Sequence, residues 1–247
     1  MLALSTHAQI VNVQPLIATD EAGKRKEGFA WTGEAGIDAR RGNTRLLSLT
    51  GNSALQYRTG RHLFFTLLRG EYAERPGGAY VDKDLEHLRY RMWITGILSA
   101  EAFVQHDRDA FRRLALRGIV GAGPRLHLVD DAGINVAAGL AYMLELERIG
   151  SGDFPDAGQE SLVSRASSYV VLTSKVHDRI TLGNVVYVQP RLDRVRDVRV
   201  LSEASLLVKA TTHFSMKLSL ASSYDSRPPV GVTPLDTTLK STLGVSF

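Results

Sequence analysis

Ile134-Asn-Val-Ala-Ala-Gly-Leu-Ala-Tyr-Met-Leu-Glu-Leu-Glu147 decides the fold. Ile134, Val136, Ala138, Leu140, Tyr142, Leu144 and Leu146 fall on one side of a period-two repeat. Asn135, Ala137, Gly139, Ala141, Met143, Glu145 and Glu147 fall on the other. Successive side chains of an extended chain point to opposite faces, so this is a strand with one apolar face and one small or charged face. Upstream, Leu114, Leu116, Gly118, Val120, Ala122, Pro124 and Leu126 oppose Arg113, Ala115, Arg117, Ile119, Gly121, Gly123 and Arg125. Near the start, Phe29, Trp31, Gly33, Ala35, Ile37 and Ala39 oppose Thr32, Glu34, Gly36, Asp38 and Arg40; at the end, Leu239, Leu243, Val245 and Phe247 oppose Thr238, Lys240, Thr242 and Ser246.

The same period gives about twelve strands, near 28–40, 43–57, 61–73, 85–98, 101–107, 111–128, 133–148, 160–175, 179–192, 198–211, 214–225 and 236–247. Several exceed the five or six residues usual in globular sheets and suit the roughly 9–11 residues of a tilted membrane strand. Tight turns are expected at Arg58-Thr-Gly60, Ser99-Ala-Glu101, Asp130-Asp-Ala-Gly133, Lys175-Val-His-Asp178 and Thr211-Thr-His213. Longer loops are expected at Ala73–Asp84, Ile149–Gln159 and Ser226–Leu235, with shorter ones in the same series at Gly42, His106–Ala110 and Asp193–Asp197. Short turns at one end and longer loops at the other mark an antiparallel up-and-down transmembrane β-barrel, and an even strand count puts both termini on the periplasmic side.

Composition agrees. The chain has 247 residues, 44% hydrophobic and 23% charged, with a net charge of +4, which excludes a disordered chain. No apolar run approaches the roughly 18–20 residues of a membrane helix. The absence of cysteine excludes disulfides, thiolate metal sites and cysteine nucleophiles. A soluble β-sandwich or lipocalin-like barrel would also alternate, with its apolar face inward. Against it stand the Gly and Ala on the charged face, the prevalence of Arg and Glu there, and long strands joined by simple hairpins.

The closing stretch Ala221-Ser-Ser-Tyr-Asp-Ser-Arg-Pro-Pro-Val-Gly-Val-Thr-Pro-Leu-Asp-Thr-Thr-Leu-Lys-Ser-Thr-Leu-Gly-Val-Ser-Phe247 resembles the salt-induced outer-membrane protein family, also known as domain of unknown function 481. Gly42-Asn-Thr44, Tyr57-Arg-Thr-Gly-Arg61, Gly70-Glu-Tyr72, Arg117-Gly-Ile-Val-Gly-Ala-Gly-Pro-Arg125 and Tyr187-Val-Gln-Pro-Arg-Leu192 are similar to its pattern too. The resemblance covers about residues 28–247 and implies a bacterial outer-membrane barrel of unsettled function, with no catalytic residue to carry over. Residues 1–8, ending in the small-x-small triplet Thr6-His7-Ala8, read as the remnant of a signal peptide, shorter than the family's full one. Residues 9–27 read as a polar periplasmic lead-in, and 28–247 as the barrel. Leu243, Val245 and Phe247 resemble the terminal signal read by the outer-membrane assembly machinery.

With the polar face inward, the lumen bases are Arg40, Arg69, Arg89, Arg91, Arg113, Arg117, Arg125, Arg165, Arg191, Lys209, Lys217 and Lys240. The acids are Glu34, Asp38, Glu71, Asp107, Glu145, Glu147 and Glu203. The basic excess would favour anions in a water-filled lumen. Twelve strands lie between the filled eight-stranded and the open sixteen-stranded case, leaving both a narrow pore and a closed structural or stress-response barrel. His87, Arg89, Arg91 and Trp93 share one face, with Gln105, Asp107, Arg113 and Arg117 on the neighbouring strands. They form either an anion-binding constriction or a structural ion-pair network.

Catalytic patterns fail. Gly51-Asn-Ser53-Ala-Leu55 lacks the second glycine of a nucleophile elbow, and no His–x–Ser pair shares a strand face. The seven histidines show no i,i+4 pair for zinc. Gly121-Ala-Gly123 lacks the third glycine of a dinucleotide fingerprint. No enzyme, cofactor or metal is expected; an outer-membrane lipid hydrolase would need a Ser–His pair at the lipid-facing rim. Basic residues spread over strand faces argue against nucleic acid. The expected partners are outer-membrane lipid and lipopolysaccharide at the rim, and the expected state is a monomer.

Overall fold

In the computed structural model, which describes residues 27–41, 46–131, 133–211 and 214–245, the alternation becomes twelve antiparallel strands. For residues 32, 34, 38, 40, 79, 80, 242, 244 and 245 only the backbone is described. The strands are β1 (Gly28–Arg40), β2 (Leu46–Thr59), β3 (His62–Arg75), β4 (Gly78–Trp93), β5 (Leu98–Asp109) and β6 (Leu114–Asp130). They continue as β7 (Ile134–Ile149), β8 (Glu160–His177), β9 (Ile180–Pro190), β10 (Val198–Lys209), β11 (Phe214–Asp225) and β12 (Leu235–Val245). Each pairs with its sequence neighbours, and β12 comes back to β1 at the seam. Side chains of non-neighbouring strands meet across the interior, as Lys240 of β12 does with Glu71 of β3 at 3.6 Å. The sheet therefore curls into an up-and-down transmembrane β-barrel.

The outward face carries the apolar side chains. Leu162, Phe29 and Leu239 are 69%, 68% and 67% exposed, whereas Arg117 and Glu145 inside are each 1% exposed. A water-soluble barrel would have these the other way round, so burial decides for a lipid-facing wall. On β1–β4 an outward aromatic ladder runs Phe29, Tyr57, Phe64 and Tyr90, with ring centroids 4.4, 6.4 and 5.0 Å apart. These residues lie near the ends of their strands, where amphipathic rings anchor a membrane interface.

One end, the turn end, carries Gly60-Arg61, 94–97 and Asp178-Arg179, with Asp131, Gly133, Ala210 and Thr211 beside them. The other, the loop end, carries 150–159, 191–197 and 226–234, and the 3-10 turn at Ala110–Arg112. Several expected connections are corrected; the loop expected at His106–Ala110 shrinks to the 3-10 turn Ala110–Arg112, because His106–Asp109 belong to β5. No long loop spans Ala73–Asp84: β3 and β4 run to a two-residue reversal at Pro76-Gly77. Gly77 and Gly78, with φ of 109° and 118°, supply the left-handed backbone such a tight reversal needs. Ser99, Ala100 and Glu101 belong to β5; the turn lies at Ile94-Thr95-Gly96-Ile97, where Thr95 Oγ1 accepts from the amides of Ile97 and Leu98. The fourth strand is accordingly Gly78–Trp93 rather than 85–98.

Candidate lumen site

Inward-facing side chains of β4–β10 form two charged layers. Toward the turn end, Glu101 receives Arg91 at 2.6 Å and Arg89 at 3.3 Å, with Arg125 at 4.0 Å. Tyr169 of β8 donates its hydroxyl to the same carboxylate. Toward the loop end, Glu145 takes Arg199 at 2.6 Å, Arg165 at 3.2 Å and Arg117. Arg199 also reaches Glu147 and Asp225, each at 2.8 Å, and Arg165 reaches Asp197 at 2.9 Å. Between the layers Phe103, Ile119, Met143, Val171, Val185 and Tyr187 pack as an apolar cluster. Each carboxylate at a layer's centre is shared by several guanidiniums, and removing one partner from a buried pair costs about 3–5 kcal/mol.

The opposite wall differs. On β2–β4 and β10–β12 the inward groups are smaller or half-buried: Ser219, Thr50, Asn52, and the pairs Lys83–Glu71 at 2.7 Å and Lys217–Glu203 at 3.6 Å. Arg69, also inward by strand parity, is exposed and donates to Asn52 at 3.0 Å. The Lys217 and Lys240 side chains are 30% and 42% exposed, against 1–7% for the arginines of the two layers. Beneath them lies a small apolar cluster of Ala54, Phe65, Leu67 and Leu85.

Three connections meet over the loop end. Arg113 Nη1 donates to Asp156 Oδ1 at 2.7 Å and to the Val230 carbonyl at 2.8 Å, and the Val230 amide donates to Asp156 Oδ2 at 2.8 Å. The guanidinium lies 3.8 Å over the Phe154 ring. The β11–β12 loop thereby joins loops rooted on the far side of the barrel. The Val230 amide, then the Arg113 guanidinium, hold the Asp156 carboxyl below its ordinary value.

Arg89, Arg91 and Arg117 are thus inside, but in separate layers rather than one cluster. Arg113 is not in the lumen wall: it follows the 3-10 turn with φ of 59° and belongs to the loop clasp. Asp107 is buried and accepts from Gln105 at 2.8 Å, and Glu145 and Glu147 share Arg199. Leu243 points outward, Val245 ends β12 with only its backbone described, and Phe247 lies outside the described residues, as do 1–26. Glu101, Tyr169 and Arg199 are centres the alternation did not single out; Arg199 shares its strand parity with Glu203, so the signal was present. The structure also joins Ser99 Oγ to His127 Nε2 at 3.0 Å. This pair faces the lumen, Ser99 is wholly enclosed, and the imidazole stacks on Trp93 at 5.7 Å. Among the described residues no group of three or more potential metal ligands converges.

The sequence profile of the family described as "Protein of unknown function, DUF481" matches residues 33–247. A solved structure of the NanC porin is similar in fold, with a TM-score of 0.52 at 10% identity over 89% of this chain and 98% of that one. The translocator domain of the autotransporter NalP from Neisseria meningitidis gives 0.43 at 13% identity over 89% and 86%. No curated protein matches the chain in sequence.

Proposed function

The chain belongs to the DUF481 family of proteins of unknown function, and we propose that it is a bacterial outer-membrane barrel with a narrow, weakly anion-preferring passage. The passage runs along the β2–β4 and β10–β12 wall. The observation that supports it is the contrast in exposure between Lys217 and Lys240 on that wall and the enclosed arginine layers opposite. Among the described side chains of that wall outside the arginine layers, Arg58, Arg69, Lys83, Lys209, Lys217 and Lys240 outnumber Glu71, Glu203 and Asp236. A low-dielectric wall amplifies that surplus. The arginine layers brace the barrel and do not set selectivity.

Both termini lie on the periplasmic side, lipopolysaccharide meets the loop-end rim, and Leu243, Val245 and Phe247 address the assembly machinery. The barrel works as a monomer and not as an enzyme. A second reading, a closed structural barrel, is favoured by the Arg113–Asp156–Val230 clasp across the loop end.

Reversal potentials of the refolded full chain in a planar bilayer under a salt gradient test the first reading. Anion-biased discrete steps, with the bias reduced by Lys217→Gln and Lys240→Gln, are expected. Folded protein that inserts silently would favour the closed barrel.

A further inference from the structure

The turn-end half of the lumen holds more guanidinium than carboxylate. Arg89, Arg91 and Arg125 are each no more than 3% exposed and surround Glu101, the one buried carboxylate of that half among the described residues. Arg58 joins them at the mouth, 4.6 Å over the Trp93 ring, and its ion pair at 3.4 Å is with Glu27, which is 60% exposed. The loop end is the reverse: Asp107, Glu145, Asp197 and Asp225 are buried there, with Glu147 beside them, around Arg117, Arg165 and Arg199.

The turn-end layer also holds guanidinium hydrogens without an acceptor. Arg125 donates from Nη1 to the Tyr169 hydroxyl at 3.1 Å, yet its Nε is enclosed without a partner, as is Nη1 of Arg58. At the loop end Asp107 Oδ1 is an enclosed acceptor, while Nε and Nη2 of Arg113 are enclosed donors within the loop clasp. Buried charges and buried donors are normally compensated, because leaving them bare in a low-dielectric interior is costly.

We propose that the turn end of the lumen is a binding site for a small oxyanion, taken up beside Trp93 by the spare guanidinium hydrogens of Arg125 and Arg58. The planar guanidinium fork suits a carboxylate, sulfate or phosphate. Arg58 is the penultimate residue of β2 and Trp93 closes β4, so the site lies just inside the turn-end opening. It faces the lumen and takes a soluble anion, not a lipid headgroup. It stands whether or not the barrel conducts.

Equilibrium dialysis of the refolded full chain in a non-ionic detergent against radiolabelled inorganic sulfate at low ionic strength tests the site. Saturable binding near one ion per chain is expected, weakened about tenfold by Arg58→Gln and by Arg125→Lys, which keeps the charge but loses Nε. Lys217→Gln should leave it unchanged. Arg58 sits at the mouth and its replacement leaves the Glu101 layer intact, so that variant reports on binding even where Arg125→Lys misfolds. Absence of saturable sulfate binding by the native chain, or equal binding by Arg58→Gln, overturns the proposal.

Discussion

The Tyr169 ring lies flat against Gly139, its partner across the β7–β8 ladder, so closely that a Cβ on residue 139 would fall 2.3 Å from the ring carbons. This vacancy lets the tyrosine lean across the lumen and present its hydroxyl to Glu101 on β5. A glycine on one strand thus fixes an ion-pair centre three strands away from the tyrosine's own.

Gly139→Ala should therefore displace Tyr169 and destabilise the barrel by roughly 1–3 kcal/mol, the usual cost of overpacking. Urea unfolding in lipid vesicles measures it. In a Tyr169→Ala background the same change should cost little, since the two residues act as one unit; an unchanged penalty there would mean the glycine serves another purpose.

Glu145 is the shared acceptor of Arg117, Arg165 and Arg199. Glu145→Ala would leave three enclosed guanidiniums short of a counter-charge, with an expected loss of about 3–5 kcal/mol. Glu160, which is exposed and 3.8 Å from Arg148, is the contrast: Glu160→Ala should cost no more than about 1 kcal/mol. Equal midpoints for the two variants would contradict the bracing role of the layer.

Asp156 lies in a loop outside the membrane, and its carboxyl is held below the ordinary value of 3.8 by the Val230 amide and Arg113. A depressed carboxylate stabilises the clasped state fully above that ordinary value, and the contribution disappears as pH falls through the lowered one. The clasp should stay intact at neutral pH and loosen only in strong acid. Asp156→Asn should loosen it at every pH. Proteolysis of the 150–159 and 226–234 loops reads this out: native protein cleaved as fast as the variant at pH 7 would show that Asp156 does not hold the loops together.

The loop end should face outward. The chain has no cysteine, so Ser151→Cys in the β7–β8 loop supplies a single thiol. Intact cells should label it with a membrane-impermeant maleimide. A thiol that reacts only after the outer membrane is permeabilised would reverse the orientation.

Strand number and strand face are legible in the sequence because lipid demands an apolar residue at every second position, a demand as plain in Ile134–Leu146 as in Leu114–Leu126. Turn positions are less so. Ile94 and Ile97 look like strand yet flank a reversal made by Thr95, and Pro76-Gly77-Gly78 looks like part of a long loop yet turns in two residues. Cross-lumen partners are not legible at all. Arg199 and Glu145 lie 54 residues apart, and the curvature of the barrel rather than any local spacing brings them to 2.6 Å. Arg113 shares the parity of Arg117 but leaves the wall because β6 begins one residue later, at Leu114.

Accessibility of single cysteines along the two walls distinguishes an open passage from a filled lumen. Ser219 faces the lumen on β11 among half-buried groups, whereas Ser167 of β8 is 2% exposed and receives a hydrogen bond from Gln189 at 3.2 Å. In refolded full-length protein, Ser219→Cys should react with a small charged methanethiosulfonate and Ser167→Cys should not. Protection of residue 219, or reaction at 167 as fast as at 219, would contradict a passage along the β2–β4 and β10–β12 wall.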